Sequence, residues 1–196
     1  MTLPQHSSNS EHYITPKFVS DAYREVLGEN IALDPATSVY NNSLYIKATN
    51  IYTEADNGLE QSWKAANVFL NFPSSAKLNS EYRKKYGDVC CKVWFNKFVE
   101  EFNNNNFDNG LIVLFSNAHL NILDFELLTI SQYSTFIGAC SLYKRVRYEV
   151  LNKDNELTIK DKPTHHSSIV FVTQNPELFW KFSETFNKYG NIWKLY

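Results

Sequence analysis

Two short stretches of the chain place carboxylate, amide and hydroxyl groups where an apolar run breaks off. Ile31-Ala32-Leu33 gives way to Asp34-Pro35-Ala36-Thr37, and Val68-Phe69-Leu70 gives way to Asn71-Phe72-Pro73-Ser74. Short apolar runs that end in polar turns read as buried parallel strands. In open α/β sheets, ligands sit beyond the carboxyl ends of such strands. Two of these ends lie close in the sequence, so the spacing predicts one shared crevice. The competing reading is two ordinary strand-ending turns, since Pro, Asp, Asn and Ser are the common turn formers.

Other side chains carry chemistry with less pattern behind them. His119, His165 and His166 lack cysteines or carboxylates at metal-binding spacing, which favours loop positions. Lys144, Arg145 and Arg147 are the densest basic spot in the second half, fit either for phosphate contact or for the solvated side of an outer strand. The segment Glu81 to Tyr86 mixes basic and aromatic residues and reads either as a solvated face or as a nucleic-acid contact.

These groups need a scaffold, and the sequence supplies one. The 196 residues are 43% hydrophobic and 15% aromatic, enough for one domain with a proper core. Residues 1–12 read as a loose polar arm and 13–196 as a single domain. Thr15 as N-cap and Pro16 at the first helical position open a helix whose apolar positions recur until Gly28. A short helix near Val39 to Leu44 and a strand near Asn50 to Thr53 follow, then the turn Asp56-Asn57-Gly58. Further on come a helix from Val89 to Phe102, a strand from Leu111 to Phe115 and a helix over Phe125 to Ile130. Next are a short strand begun by Phe136-Ile137 and an outer strand from Tyr143 to Leu151. The chain closes with a strand at Ile169 to Thr173, a helix at Pro176 to Tyr189 and a strand at Ile192 to Leu195. Alternation of this kind predicts an α/β fold with a sheet layered between helices.

The net charge of −2 excludes binding to nucleic acid by overall attraction and leaves only local basic patches. Three cysteines, Cys90, Cys91 and Cys140, are too few and too badly spaced for a disulfide framework and point to a reducing compartment. With no long apolar run and no signal-peptide core, the expected location is the cytoplasm.

Several short motifs then recur in a fixed order. They are Thr15-Pro16, Leu33-Asp34-Pro35-Ala36, Tyr52-Thr53-Glu54-Ala55-Asp56-Asn57-Gly58-Leu59 with Trp63, Val68-Phe69-Leu70-Asn71-Phe72-Pro73-Ser74, and Trp94-Phe95-Asn96-Lys97. Phe182, Phe186 and Gly190 extend the pattern to the C-terminal half. This order resembles the phage-type DNA adenine-N6 methyltransferases over nearly the whole chain. The resemblance implies a Rossmann-like, mainly parallel sheet between helices, S-adenosylmethionine as cofactor and DNA as substrate.

It further implies that the segment Leu33 to Thr37, with Asp34, Pro35 and Ala36 as its binding residues, embraces the methionine part of the cofactor, with Thr15 and Pro16 bordering the pocket. Glu54 would hold the ribose hydroxyls, and Asp56 would lie near the cofactor's adenine. The family's Asn-Pro-Pro-Tyr loop falls on Asn71, Phe72, Pro73 and Ser74. There an amide oxygen and the following carbonyl pull on the amine hydrogens while the aromatic ring stacks on an extruded base. In this chain Phe72 replaces a proline and Ser74 replaces the aromatic, which removes a stacking contact of about 1–3 kcal/mol. Ser116-Asn117-Ala118-His119 also lacks the Ala-Arg-Thr-like run of the family. Two functions follow: an adenine-N6 methyltransferase, or a methyltransferase-like binding protein that has lost catalysis.

Overall fold

The computed structural model describes residues 13–73, 80–86, 89–130, 135–151, 156–159 and 166–195. The expected N-terminal arm, Ser74 and His165 lie outside them.

The chain opens with strand β1 (Tyr13–Ile14) and helix α1 (Lys17–Leu27), then β2 (Leu33–Asp34), α2 (Val39–Asn41) with a π turn over Asn42–Ile46, and β3 (Asn50–Ile51). There follow β4 (Asn67–Leu70), α3 (Ser80–Tyr86), α4 (Cys90–Asn103), β5 (Asn109–Leu114), α5 (His119–Ile122) and a 3-10 stretch, Phe125–Ile130. The last third contains β6 (Phe136–Leu142), β7 (Glu149–Leu151), β8 (Leu157–Ile159), β9 (Ser168–Thr173), α6 (Pro176–Phe186) and β10 (Gly190–Lys194).

Seven strands form the main sheet in the order β10-β6-β9-β5-β4-β2-β3. The chain lays β3 on one side of β2, then returns to lay β4 on the other side, and both pairings are parallel. Such a reversal is the switch point of a doubly wound sheet, and β2 and β4 flank it here. The fold is therefore α/β with a mixed sheet, compatible with a Rossmann-like arrangement. The expectation of a mainly parallel sheet holds only for β3-β2-β4-β5. Beyond β5 every pairing is antiparallel, because β9 runs down between β5 and β6 and β10 runs down outside β6.

The pleat sorts the core into two layers, since successive strand residues face opposite ways. Val68, Leu70, Ile112, Leu114, Val170 and Val172 point to the layer of α4, where they meet Val93, Trp94, Phe95, Phe98 and Phe102. Phe69, Leu111, Val113, Ile169 and Phe171 point to α1 and α6, where they meet Val19, Ala22, Tyr23, Val26, Phe182 and Phe186. The buried Tyr23 hydroxyl crosses into the sheet and donates to the carbonyls of Val68 and Asn109.

Two local expectations change. Helix α1 ends as expected at Gly28, whose φ of 72° is left-handed and free of strain only in glycine. It starts one residue late, with Pro16 as N-cap, because the Thr15 hydroxyl is engaged elsewhere. The expected strand from Tyr143 forms only at Glu149–Leu151. The chain bends at residues 143–148 as it leaves the main sheet for a three-stranded side sheet, β1-β7-β8, that the sequence did not announce.

Candidate functional site

Parallel pairing of Leu33 with Val68 brings the ends of β2 and β4 side by side, as the two polar turns required. Asp34 is wholly buried at the end of β2. One carboxylate oxygen accepts the Ala36 amide at 3.0 Å, which folds the turn back on itself. The other, Oδ2, has no hydrogen-bond partner, nor does the hydroxyl of the buried Thr37. Burial pushes the Asp34 carboxyl up from 3.8 to about 7. The Ala36 amide and, more weakly, the nearby Thr37 hydroxyl pull it down, although the hydroxyl stops short of hydrogen-bond geometry. Buried polar atoms without partners are few in folded proteins, and Asp34 Oδ2 and Thr37 Oγ1 are two of six such side-chain atoms among the described residues.

Pro35 and Ala36 shape this turn rather than offer side chains to it. The Pro35 carbonyl lies against Gly58, where an added Cβ would come within 1.9 Å of its oxygen. Only glycine fits there, so the Leu-Asp-Pro-Ala and Asp-Asn-Gly-Leu motifs are two halves of one contact. Backbone bonds from Tyr52 to Asp34 and from Thr37 to Tyr52 close the same unit. The Trp63 indole N–H donates to the Gly58 carbonyl, and the ring stacks on Trp94 of α4 at 6.3 Å.

Glu54 and Asp56 follow β3 in an exposed turn. Asp56 accepts hydrogen bonds from the backbone N–H and hydroxyl of Thr53, the amide first among them holding its carboxyl below the ordinary value. This is the turn-forming role of an aspartate, and it commits one Asp56 oxygen locally. Glu54 stays exposed beside it.

At the end of β4, Asn71 is half-buried, and its Nδ2 donates to the Thr15 hydroxyl at 2.8 Å. Phe72 turns inward: it is 3% exposed and packs edge-on against Phe115 at 5.4 Å and near His119. Its ring belongs to the core and is no platform for a base. Pro73 is exposed, and its carbonyl accepts the Cys90 thiol from the start of α4 at 3.1 Å. His119 begins α5 with its ring against Phe115, and His166 sits in the loop before β9 with Nδ1 3.4 Å from the Leu142 carbonyl.

Lys144, Arg145 and Arg147 are all exposed in the bend after β6. The registers Leu70 to Ile112, Leu114 to Ser168 and Ser168 to Ser141 carry the end of β6 to the rim on which Asn71 lies. A shallow cleft of about 270 Å³ lies between Leu120, Leu123, Phe125 and Leu195, and none of the residues singled out in the sequence lines it. Its volume says less about function than the unpaired atoms at the switch point do.

Asn41 carries no sequence signal, because its role depends on a partner 26 residues away. No protein-family model matches the chain, and comparison with curated proteins returns no match.

Proposed function

We propose that the chain is an S-adenosylmethionine-dependent DNA methyltransferase, built on a Rossmann-like fold, that acts on the N6 amine of adenine. The reading rests on the ordered motifs of the sequence. The observation that best supports it is the parallel pairing of Leu33 with Val68, which sets the strand ends that carry Asp34 and Asn71 side by side at the switch point, with Asp34 Oδ2 and Thr37 Oγ1 without hydrogen-bond partners at the first of them. Those two atoms suit a ligand end that presents N–H donors, as an amino-acid moiety does. Asp34, Thr37 and the Pro35-Ala36 turn would hold that end, and Glu54 would face the ribose. The fit is weaker at Asp56, whose carboxylate already serves Thr53.

The cofactor would supply an electrophilic methyl group on sulfur. The work left to this chain is to aim the amine. Its nitrogen lone pair is spread into the adenine ring, so an acceptor on each amine hydrogen draws density back to the nitrogen. Asn71 Oδ1 and the Phe72 backbone carbonyl are suited to that role, an electrostatic and positional form of catalysis. The exposed Lys144, Arg145 and Arg147 on the same rim are suited to phosphate contact.

The test is calorimetric titration with S-adenosylmethionine, followed by transfer of a labelled methyl group to adenine in DNA. The expected result is binding and transfer, with transfer abolished in Asn71→Ala. Absence of transfer to single- and double-stranded DNA over many sequences would overturn the reading.

One observation favours the second reading, a methyltransferase-like binding protein without catalysis. The Phe72 ring is sequestered in the core, and Ser74 offers no ring in its place. Cofactor binding without transfer would support this alternative.

A further inference from the structure

Thr15 is wholly buried at the point where β1 hands over to α1. It caps nothing. Its hydroxyl oxygen accepts Asn71 Nδ2 at 2.8 Å and Asn41 Nδ2 at 3.4 Å, while its backbone N–H donates to Asn41 Oδ1 at 3.3 Å. Asn41 thus grips Thr15 at main chain and side chain, and Thr15 in turn grips Asn71. The preceding residues are tied down as well, since Tyr13 and Ile14 pair with Val150 and Glu149.

A primary amide is planar, with its nitrogen and oxygen on opposite branches of one carbon. A hydroxyl can accept from the amide nitrogen or donate to the amide oxygen; in the arrangement seen, Asn71 Nδ2 is bound to Thr15 Oγ1, and Oδ1 on the opposite branch is aimed away from Thr15. An acceptor for an incoming amine must be the oxygen, because the nitrogen end would present hydrogens to hydrogens.

We propose that Thr15 is a positioning residue: it holds the Asn71 amide with Oδ1 directed at the target amine, and Asn41 holds Thr15. This rests on the methyl-transfer reading of Asn71, and it differs from the cofactor contact that the sequence resemblance implies for Thr15.

The test compares the wild type with Thr15→Val, which keeps the shape and drops the hydroxyl, and Thr15→Ser, which keeps the hydroxyl. Three quantities are measured: S-adenosylmethionine affinity, steady-state methyl transfer to a DNA duplex, and the ¹⁵N NMR signal of the Asn71 side-chain amide, assigned from its loss in Asn71→Asp. Thr15→Val is expected to lower kcat about 10- to 100-fold with cofactor affinity changed by less than about twofold, and Thr15→Ser to recover most of the rate. The Asn71 amide signal should move in the valine variant and stay in the serine variant.

An unchanged kcat in Thr15→Val overturns the proposal. So does a loss of cofactor affinity that matches the loss of rate, which would make Thr15 a cofactor contact. If the wild type transfers no methyl group, the methyl-transfer reading fails by itself, and the NMR signal decides the remainder. A signal unmoved by Thr15→Val refutes the holding role, and one moved by valine but kept by serine upholds it. Should Thr15→Val not fold, Asn41→Ala removes the outer grip and is expected to lower kcat in the same direction by a smaller factor; no fall in kcat there counts against the proposal.

Discussion

Asp34 stores a pH dependence that a fold measurement can read. Its carboxyl sits at about 7 in the folded chain against an ordinary 3.8, burial being the cause. Between these values the folded state holds a proton that the unfolded state has lost, so stability falls as pH rises from about 4 to about 7 and levels off above. At about 1.4 kcal/mol per unit, the whole effect is roughly 4 kcal/mol. Asp34→Asn cannot ionise, and its urea midpoint should be nearly flat over the range where the wild type declines; parallel curves at pH 5 and pH 8 would refute this origin. The sequence marked Asp34 correctly as a strand-end residue. It could not mark the unpaired Oδ2, because pairing depends on what the fold packs around the group.

At the scale of elements, the motifs that travel together in the sequence are joined in space. Gly58 meets Pro35, Trp63 meets Gly58, and Trp94 stacks on Trp63. Lys97, a turn further along α4, forms a buried ion pair with Glu101. The other Glu101 oxygen accepts the Trp63 amide at 3.0 Å and Asn106 Nδ2 at 2.6 Å. Removing one partner of a buried ion pair typically costs about 3–5 kcal/mol. Glu101→Ala should cost that much in urea unfolding, because it strands a lysine and two amide donors. Lys97→Met should cost less, since Glu101 keeps both amide donors, and the reverse order would show that the charge, not the acceptor, carries the network. Helix α4 was legible from its 3.6-residue apolar spacing. The partners of its Lys97 and Glu101 were not, since no periodicity encodes a contact with a turn some forty residues earlier.

The whole molecule repeats this division. Continuous apolar runs revealed β4, β5 and β9, because a strand covered on both faces has no polar side to interrupt it. Strand directions and the side sheet stayed hidden. A pairing such as Tyr13 with Val150 is set by tertiary packing across the length of the chain, and the residues of β8 are all exposed and so have no burial pattern to display. Among the described residues no helix is long and apolar enough to cross a membrane.

The place of β9 has a consequence for the protein while it is being made. Synthesis delivers β6 before β9, yet among the described residues β6 pairs only with β9 and the still later β10. Until residues 168–173 emerge, β5 lacks its second neighbour and β6 lacks both. Unpaired apolar strands template association with other chains. A chain stopped after residue 151 should therefore sediment as aggregates where the full chain stays in solution, and a monodisperse truncated chain would count against this order of assembly. The strand that completes the sheet is nearly the last to arrive, and the nascent protein depends on whatever shields these open edges until then.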